Sequence, residues 1–239
     1  MRLSQFKALS FDCYGTLIDW ETGIVEALGP LGELAGVSGQ DLIEAYGPIE
    51  HQVEEVFPAL RYSELLEKVH DRLSQQFGVE PNDAAAAAFG ASVGDWPAFA
   101  DSAEALAYLK GHFQLIILSN VDRASFARSN RRLGVEFDQI LTAEEIGSYK
   151  PDLRNFEYLL ERAGEAGIEK GELLHVAQSL FHDHVPANRI GIASAWIDRR
   201  HDKPGGGATV LPDPMPHVDF RFTSMGELAA AHQAEQAER

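Results

Sequence analysis

Short apolar runs recur along the chain, and each is followed by a stretch with helical spacing. The runs fall at residues 8–11, 113–118, 139–142, 174–177 and 190–197, with a weaker one at 219–222. Apolar positions three and four apart mark helices at 101–110, 123–133, 155–166 and 224–236. Runs that are apolar throughout, rather than alternating, belong in strands buried on both faces, and strands separated by helices build a parallel sheet. Right-handed crossovers wind such units into a doubly wound α/β fold.

One segment departs from the alternation. Between residues 20 and 94 the patterns are only helical, as at 40–57, 62–77 and the Ala-rich DAAAAAFGAS, with Gly and Pro between them. The expectation is a helical second domain over residues 19–94, inserted after the first strand of a core made of residues 1–18 and 95–239. DWPAFADS, at 95–102, returns the chain to the sheet. The GGG at 205–207 lacks the strand-to-helix context of a phosphate loop and reads as a turn.

Composition narrows the chemistry. The 239 residues are 45% hydrophobic and 24% charged, an ordinary globular balance. A formal net charge of −17 argues against nucleic acid or anionic membrane as partner, since both select basic patches. A small anionic substrate would need local positive charge. Cys13 is the single cysteine, so there is no intrachain disulfide and no Cys-rich metal site; strand alternation points it away from its neighbour Asp12. No basic segment precedes a long apolar run, and no apolar run approaches eighteen residues, which reads as a cytoplasmic protein. The expected partner is a small-molecule substrate, with a homodimer left open.

In an open parallel sheet, ligands bind outside the carboxyl ends of the strands. The first run ends at Asp12, followed by Tyr14 and Thr16; the second ends at Ser119 and Asn120. The third leads through TAEEIGSYKPD to Lys150, and the fourth ends at Gln178 and Ser179, with Asp183 a helical turn on. Each has a bland reading. Asp12 with Gly15 makes a turn, Ser119 and Asn120 cap a helix, Lys150 is solvated, and Asp183 favours a helix dipole. An acid, a hydroxyl, a lysine and a second acid at successive strand ends together fit a site better. A lysine within a few ångströms keeps a carboxylate nucleophile ionised, and a second acid can deprotonate the water that breaks a covalent ester.

The motifs FDCYGTL, ILSN, SYKPD and VAQSLFHDHVPA, in this order and with the helical insertion after the first, resemble the haloacid dehalogenase superfamily. Within it the chain is most similar to the type II 2-haloacid dehalogenases. The resemblance implies a Rossmann-like core with a helical cap, Asp12 as nucleophile, Lys150 as its charge partner and Asp183 serving ester hydrolysis. It implies that Thr16, Ser119 and Asn120 bind the substrate carboxylate or steady the nucleophile. Tyr14, Gln178 and Ser179 join the substrate-binding set. The phosphatase branch carries an acid where this chain has Tyr14 and an acidic Mg²⁺ ligand where it has Gln178. No metal or other cofactor is therefore expected, and Mg²⁺ belongs only to the alternative of a phosphatase. A further alternative is a catalytically weak ligand-binding protein on the same scaffold.

Three positions depart from the dehalogenase pattern. No Lys or Arg lies between Asp12 and Leu60, and Tyr46, which stands near the place of the usual cap arginine, joins the substrate-binding set. Phe156 replaces a tyrosine six residues after the motif lysine, and Leu180 replaces an asparagine. Leaving-group stabilisation is then expected from among His51, Arg61, His182 and His184. His182 and His184 flank an acid, but without a third well-spaced ligand they make a weak metal signal. Trp96, Phe99 and Trp196 are expected in the core.

Overall fold

In the computed structural model, which describes residues 1–202, 207–209 and 211–238, the apolar runs form one parallel sheet. Its strands are β1 (Ala8–Phe11), β2 (Gln114–Ser119), β3 (Gln139–Thr142), β4 (Leu173–Ala177), β5 (Ala193–Ile197) and β6 (Phe220–Phe222). They lie in the order β3-β2-β1-β4-β5-β6, so the winding direction reverses beside β1. That reversal opens a crevice at the carboxyl end of β1. Phe11 is in register with Ile117 of β2 and Val176 of β4, so residues just beyond these positions meet at the crevice.

Alternate residues of the central strands feed two separate apolar clusters. Leu9, Phe11, Leu115, Ile117, Leu174 and Val176 belong to one, and Ala8, Ile116, Leu118 and Leu173 to the other. This is the two-sided burial that uniformly apolar strands require. The helices α1 (Trp20–Ala27), α2 (Gly29–Ala35), α3 (Gly39–Val56), α4 (Tyr62–Gln76) and α5 (Asp83–Ser92) follow β1. Then come α6 (Ser102–Lys110), α7 (Arg123–Leu133), α8 (Ala143–Ile146), α9 (Leu153–Glu165), α10 (Val185–Ile190) and α11 (Met225–Ala237). Phe156, Leu159 and Ala163, at helical spacing on α9, cover one face of the sheet; α6, α7 and α11 contribute to the cluster on the other.

α3 positions the site. Ser38 caps it, its hydroxyl accepting from Asp41 N while the Asp41 carboxylate accepts from Ser38 N. Leu42, Ile43, Tyr46, Ile49 and Val53 bury its apolar face, yet Glu50 and Glu54 are buried with them. A carboxyl group on a buried face is costly unless something there uses it.

Two expectations need correction. The run at 190–197 enters the sheet only at Ala193, because Ile190 closes α10 and Gly191 ends it with φ 75°. Trp96 is core, but Phe99 and Trp196 are half-buried, with Arg199 stacked 4.0 Å over the first and Arg221 4.9 Å over the second. Apart from Gly207, the GGG turn lies outside the described residues. Among the described residues no helix is long and apolar enough to cross a membrane.

Candidate active site

Asp12 follows the last residue of β1, its backbone N–H donating to Val176 O at 3.1 Å. Lys150 Nζ donates to Asp12 Oδ1 at 2.9 Å, and Thr16 Oγ1 donates to Asp12 Oδ2 at 2.6 Å. Thr16 Oγ1 in turn accepts from Gln178 N at 2.8 Å, tying the turn after β1 to the end of β4. Lys150 Nζ also donates to Asp183 Oδ1 at 2.7 Å and to Leu118 O at 3.1 Å. One buried ammonium thus joins two buried carboxylates.

The Lys150 backbone is held by Asn120, whose Oδ1 accepts from Lys150 N at 2.7 Å and whose Nδ2 donates to Lys150 O at 3.1 Å. Asp183 sits on a π-helical turn, Leu180–His184, capped by Ser179, and His175 Nε2 lies 2.9 Å from its Oδ1. His175 Nδ1 lies 2.9 Å from Ser10 Oγ; protonation at Nε2 lets His175 donate to Asp183 and accept from Ser10. Asp183 Oδ2 makes no hydrogen bond with the described protein atoms.

Electrostatics separates the two acids. Burial raises the Asp12 carboxyl above its ordinary value; Lys150 pulls against this, Asp183 adds to it, and the Thr16 hydrogen bond opposes it. Burial also works against ionised Asp183, but Lys150 and His175 hold that carboxyl well below the usual range. Burial would lower Lys150 as well, and the charges of Asp12 and Asp183 raise it instead.

Asp12, Tyr14, Ser119, Asn120, Lys150, Gln178, Ser179 and Asp183 all line one pocket of about 50 Å³. Thr16 stands behind Asp12. Tyr14 turns its hydroxyl away, to Ser129 Oγ at 2.8 Å. Tyr46, expected to bind substrate, is set back from the pocket, because its hydroxyl donates to Glu50 Oε1 at 2.7 Å. His182 lines the pocket, and His51 lies beside it in an adjoining groove. His184 is turned away, bonded to Ser194 Oγ at 3.0 Å and Ala177 O at 3.0 Å. Arg61 is exposed and paired with Glu144 at 3.1 Å, so it cannot meet a leaving group here. Cys13 is buried in the core and does not line the pocket.

The pocket also holds residues that the strand-end pattern does not reach: Trp20, Glu50, Glu54, Tyr62, Val121 and Thr209. Burial raises Glu50 to about 7 against hydrogen bonds from Tyr62 and Tyr46, and burial together with the Glu50 charge raises Glu54 well above its ordinary value. The signal for these acids was their place on the apolar face of α3, and for His175 its place inside an apolar strand. Buried polar groups of this kind require partners.

A magnesium ion at the strand ends would need hard anionic oxygens around it. The Lys150 ammonium already lies between Asp12 and Asp183, and Gln178 offers a neutral amide whose Oε1 accepts from Thr209 at 3.4 Å. These residues do not fit magnesium.

A family model described as haloacid dehalogenase-like hydrolase matches residues 6–177. Over 101 residues, 41% of this chain, the sequence is 28% identical to the pyrimidine 5'-nucleotidase YjjG of Escherichia coli strain K12. Over 106 residues, 43% of this chain, it is 29% identical to an (S)-2-haloacid dehalogenase of Pseudomonas putida. The matched stretches span less than half of those relatives, 44% and 45% of their lengths. The fold is similar to that of the L-2-haloacid dehalogenase from Xanthobacter autotrophicus with chloropropionic acid covalently bound. That likeness has a TM-score of 0.77 at 17% identity, covering 95% of this chain and 98% of the other. With the family model covering well over half of its residues, the chain belongs to the haloacid dehalogenase-like hydrolases.

Proposed function

We propose that the chain is a hydrolytic 2-haloacid dehalogenase working through a covalent ester on Asp12. The observation that carries this reading is the single ammonium of Lys150 joined to Asp12 and Asp183 in a pocket of about 50 Å³. A water occupies roughly 10–15 Å³, so the pocket as it stands suits a ligand of a few heavy atoms. A nucleotide is too large for it unless the inserted helices, which act here as a cap, move away.

In the first step an Asp12 carboxylate oxygen attacks the carbon bearing the halogen. Halide leaves with the bonding pair and a neutral ester forms. Lys150 and Thr16 orient the carboxylate for that attack. Water then attacks the ester carbonyl carbon of Asp12, and Asp183 accepts the proton through its unpartnered Oδ2. Collapse returns the Asp12 carboxylate and releases the 2-hydroxy acid. The Ser119 hydroxyl and the Gln178 amide line the same pocket and would hold the substrate carboxylate. No step draws on a metal ion.

Two features weigh against phosphate ester hydrolysis. Tyr14 offers no acid to the leaving alcohol, and its hydroxyl is bound to Ser129. The strand ends also lack a magnesium ligand set.

Incubation with L-2-chloropropionate and with fluoroacetate, followed by ion chromatography of released halide, tests the reading. The expected result is halide release by the native chain, unchanged by added magnesium, and none by Asp12→Asn. Phosphate release from small phosphate esters in magnesium, with no halide from either haloacid, would overturn it.

A further inference from the structure

Glu54, on α3, faces the π-helical turn after β4 across the edge of the pocket. One ligand atom each from His51, Glu54 and His182 lie within 4.8 Å of one another. His51 and Glu54 come from the inserted helices, and His182 from the core. Glu54 and His182 line the inner pocket, whereas His51 and Glu54 line an open groove of about 400 Å³ on its far side. The three residues therefore stand in the wall between pocket and groove.

Two ring nitrogens in this wall have no hydrogen bond. His51 Nδ1 and His182 Nε2 are both buried and unpartnered among the described residues. An unsatisfied buried ring nitrogen costs free energy, and two of them in residues gathered around one acid call for an explanation. His182 Nδ1 lies 3.1 Å from Ser179 Oγ. Protonated there, the ring donates to Ser179 and leaves the Nε2 lone pair free, the arrangement that metal-binding histidines use. Asn120 Nδ2 donates to Glu54 Oε1 at 3.2 Å and orients that carboxylate in the same way.

We propose that His51, Glu54 and His182 bind one divalent cation of the zinc class. Two imidazoles and a carboxylate form a donor set that zinc accepts, with a fourth position left open. Bonds of about 2.0–2.2 Å put tetrahedral ligands roughly 3.3–3.6 Å apart, so side-chain movements of about 1 Å close the site. The ion would fasten α3 to the turn that carries Asp183. It would also place positive charge beside a pocket whose described lining has Lys150 as its sole Lys or Arg. Binding at this site does not rely on the steps proposed at Asp12, and its test needs no turnover.

Equilibrium dialysis of the metal-stripped chain against Zn²⁺, and titration with Co²⁺ followed by visible absorption, give the readouts. The expected result is one tight ion per chain and a tetrahedral Co²⁺ spectrum. His51→Ala, Glu54→Gln and His182→Ala are each expected to weaken binding about tenfold or more. His217→Ala, an exposed histidine elsewhere, leaves it unchanged. Circular dichroism confirms that each variant is folded. A native chain with no stoichiometric Zn²⁺, or folded variants that bind as the native chain does, overturns the proposal.

Discussion

Lys150 Nζ and Asp183 Oδ1 lie 2.7 Å apart with 2% and 1% of their side chains exposed, and the same ammonium serves Asp12. Removing the ammonium leaves two buried carboxylates facing each other, and breaking a buried pair costs about 3–5 kcal/mol. The sign with pH follows from the shifts. In the native chain Asp183 is held low, so its contribution is present above the unfolded value and is lost as pH falls. In Lys150→Met both carboxylates are raised, so stability is lost as pH rises through their folded values. The deficit of Lys150→Met should therefore widen from pH 4.5 to pH 7.5, read as urea midpoints at the two values. An equal deficit at both would mean that the ammonium does not govern these acids.

Asp183→Asn separates the two chemical steps. The amide oxygen can still accept from Lys150 and His175, so Asp12 keeps its charge partner. Loss of the proton acceptor should stop ester hydrolysis while leaving the attack in place. The expected outcome is a burst of one halide per chain followed by turnover lowered about 10²–10⁴-fold. Mass spectrometry of the digested chain should then find the substrate-derived alkyl ester on the peptide containing Asp12. Steady halide release at the native rate would remove Asp183 from the reaction.

Asp12, Lys150 and Asp183 were legible in the sequence because each follows an apolar run, and parallel topology brings such strand ends to one crevice. β1 and β3 begin and end where the apolar runs do. Glu50, Glu54 and Tyr62 were not legible as site residues. Helical spacing shows which face of α3 is buried, but not that this face lies over Asp12. Tyr46 was placed on the right helix, yet its hydroxyl goes to Glu50, a contact between residues four apart that spacing cannot tell from a substrate contact. His175 was hidden by the apolar residues around it in β4, and its partners Ser10 and Asp183 come from separate segments. The residues that cluster with His182, namely His51 and Glu54, come from the inserted helices, while His184 turns away to Ser194.

Thr16→Val tests how Asp12 stays ionised. Burial raises this acid, and the 2.6 Å hydrogen bond from Thr16 favours its charged form. The nucleophile must be deprotonated, so kcat/KM should fall on the acid side as Asp12 takes up its proton. Losing the hydroxyl raises the Asp12 value further, so the acid limb of Thr16→Val should move to higher pH. The variant should approach native activity at alkaline pH, apart from any loss of orientation. An acid limb that stays in place, with activity lowered equally at every pH, would assign Thr16 to positioning alone.

Gly47 on α3 lies against the backbone of Ala208, next to Thr209 in the pocket lining. A methyl group at Gly47 would come 2.3 Å from Ala208 O, and neither backbone can yield without moving the helix or the loop. Glu50 is one turn further along α3, so the displacement reaches the pocket. Gly47→Ala should lose about 1–3 kcal/mol to overpacking and raise KM more than it lowers kcat. Gly164 on α9 makes the comparison fair, because a methyl group there meets nothing within 4 Å. Gly164→Ala should gain about 0.5–1 kcal/mol from helix propensity and leave KM alone. Thermal melts of the two variants should move in opposite directions; a Gly47→Ala chain as stable as the native one would mean that α3 does not need this close approach.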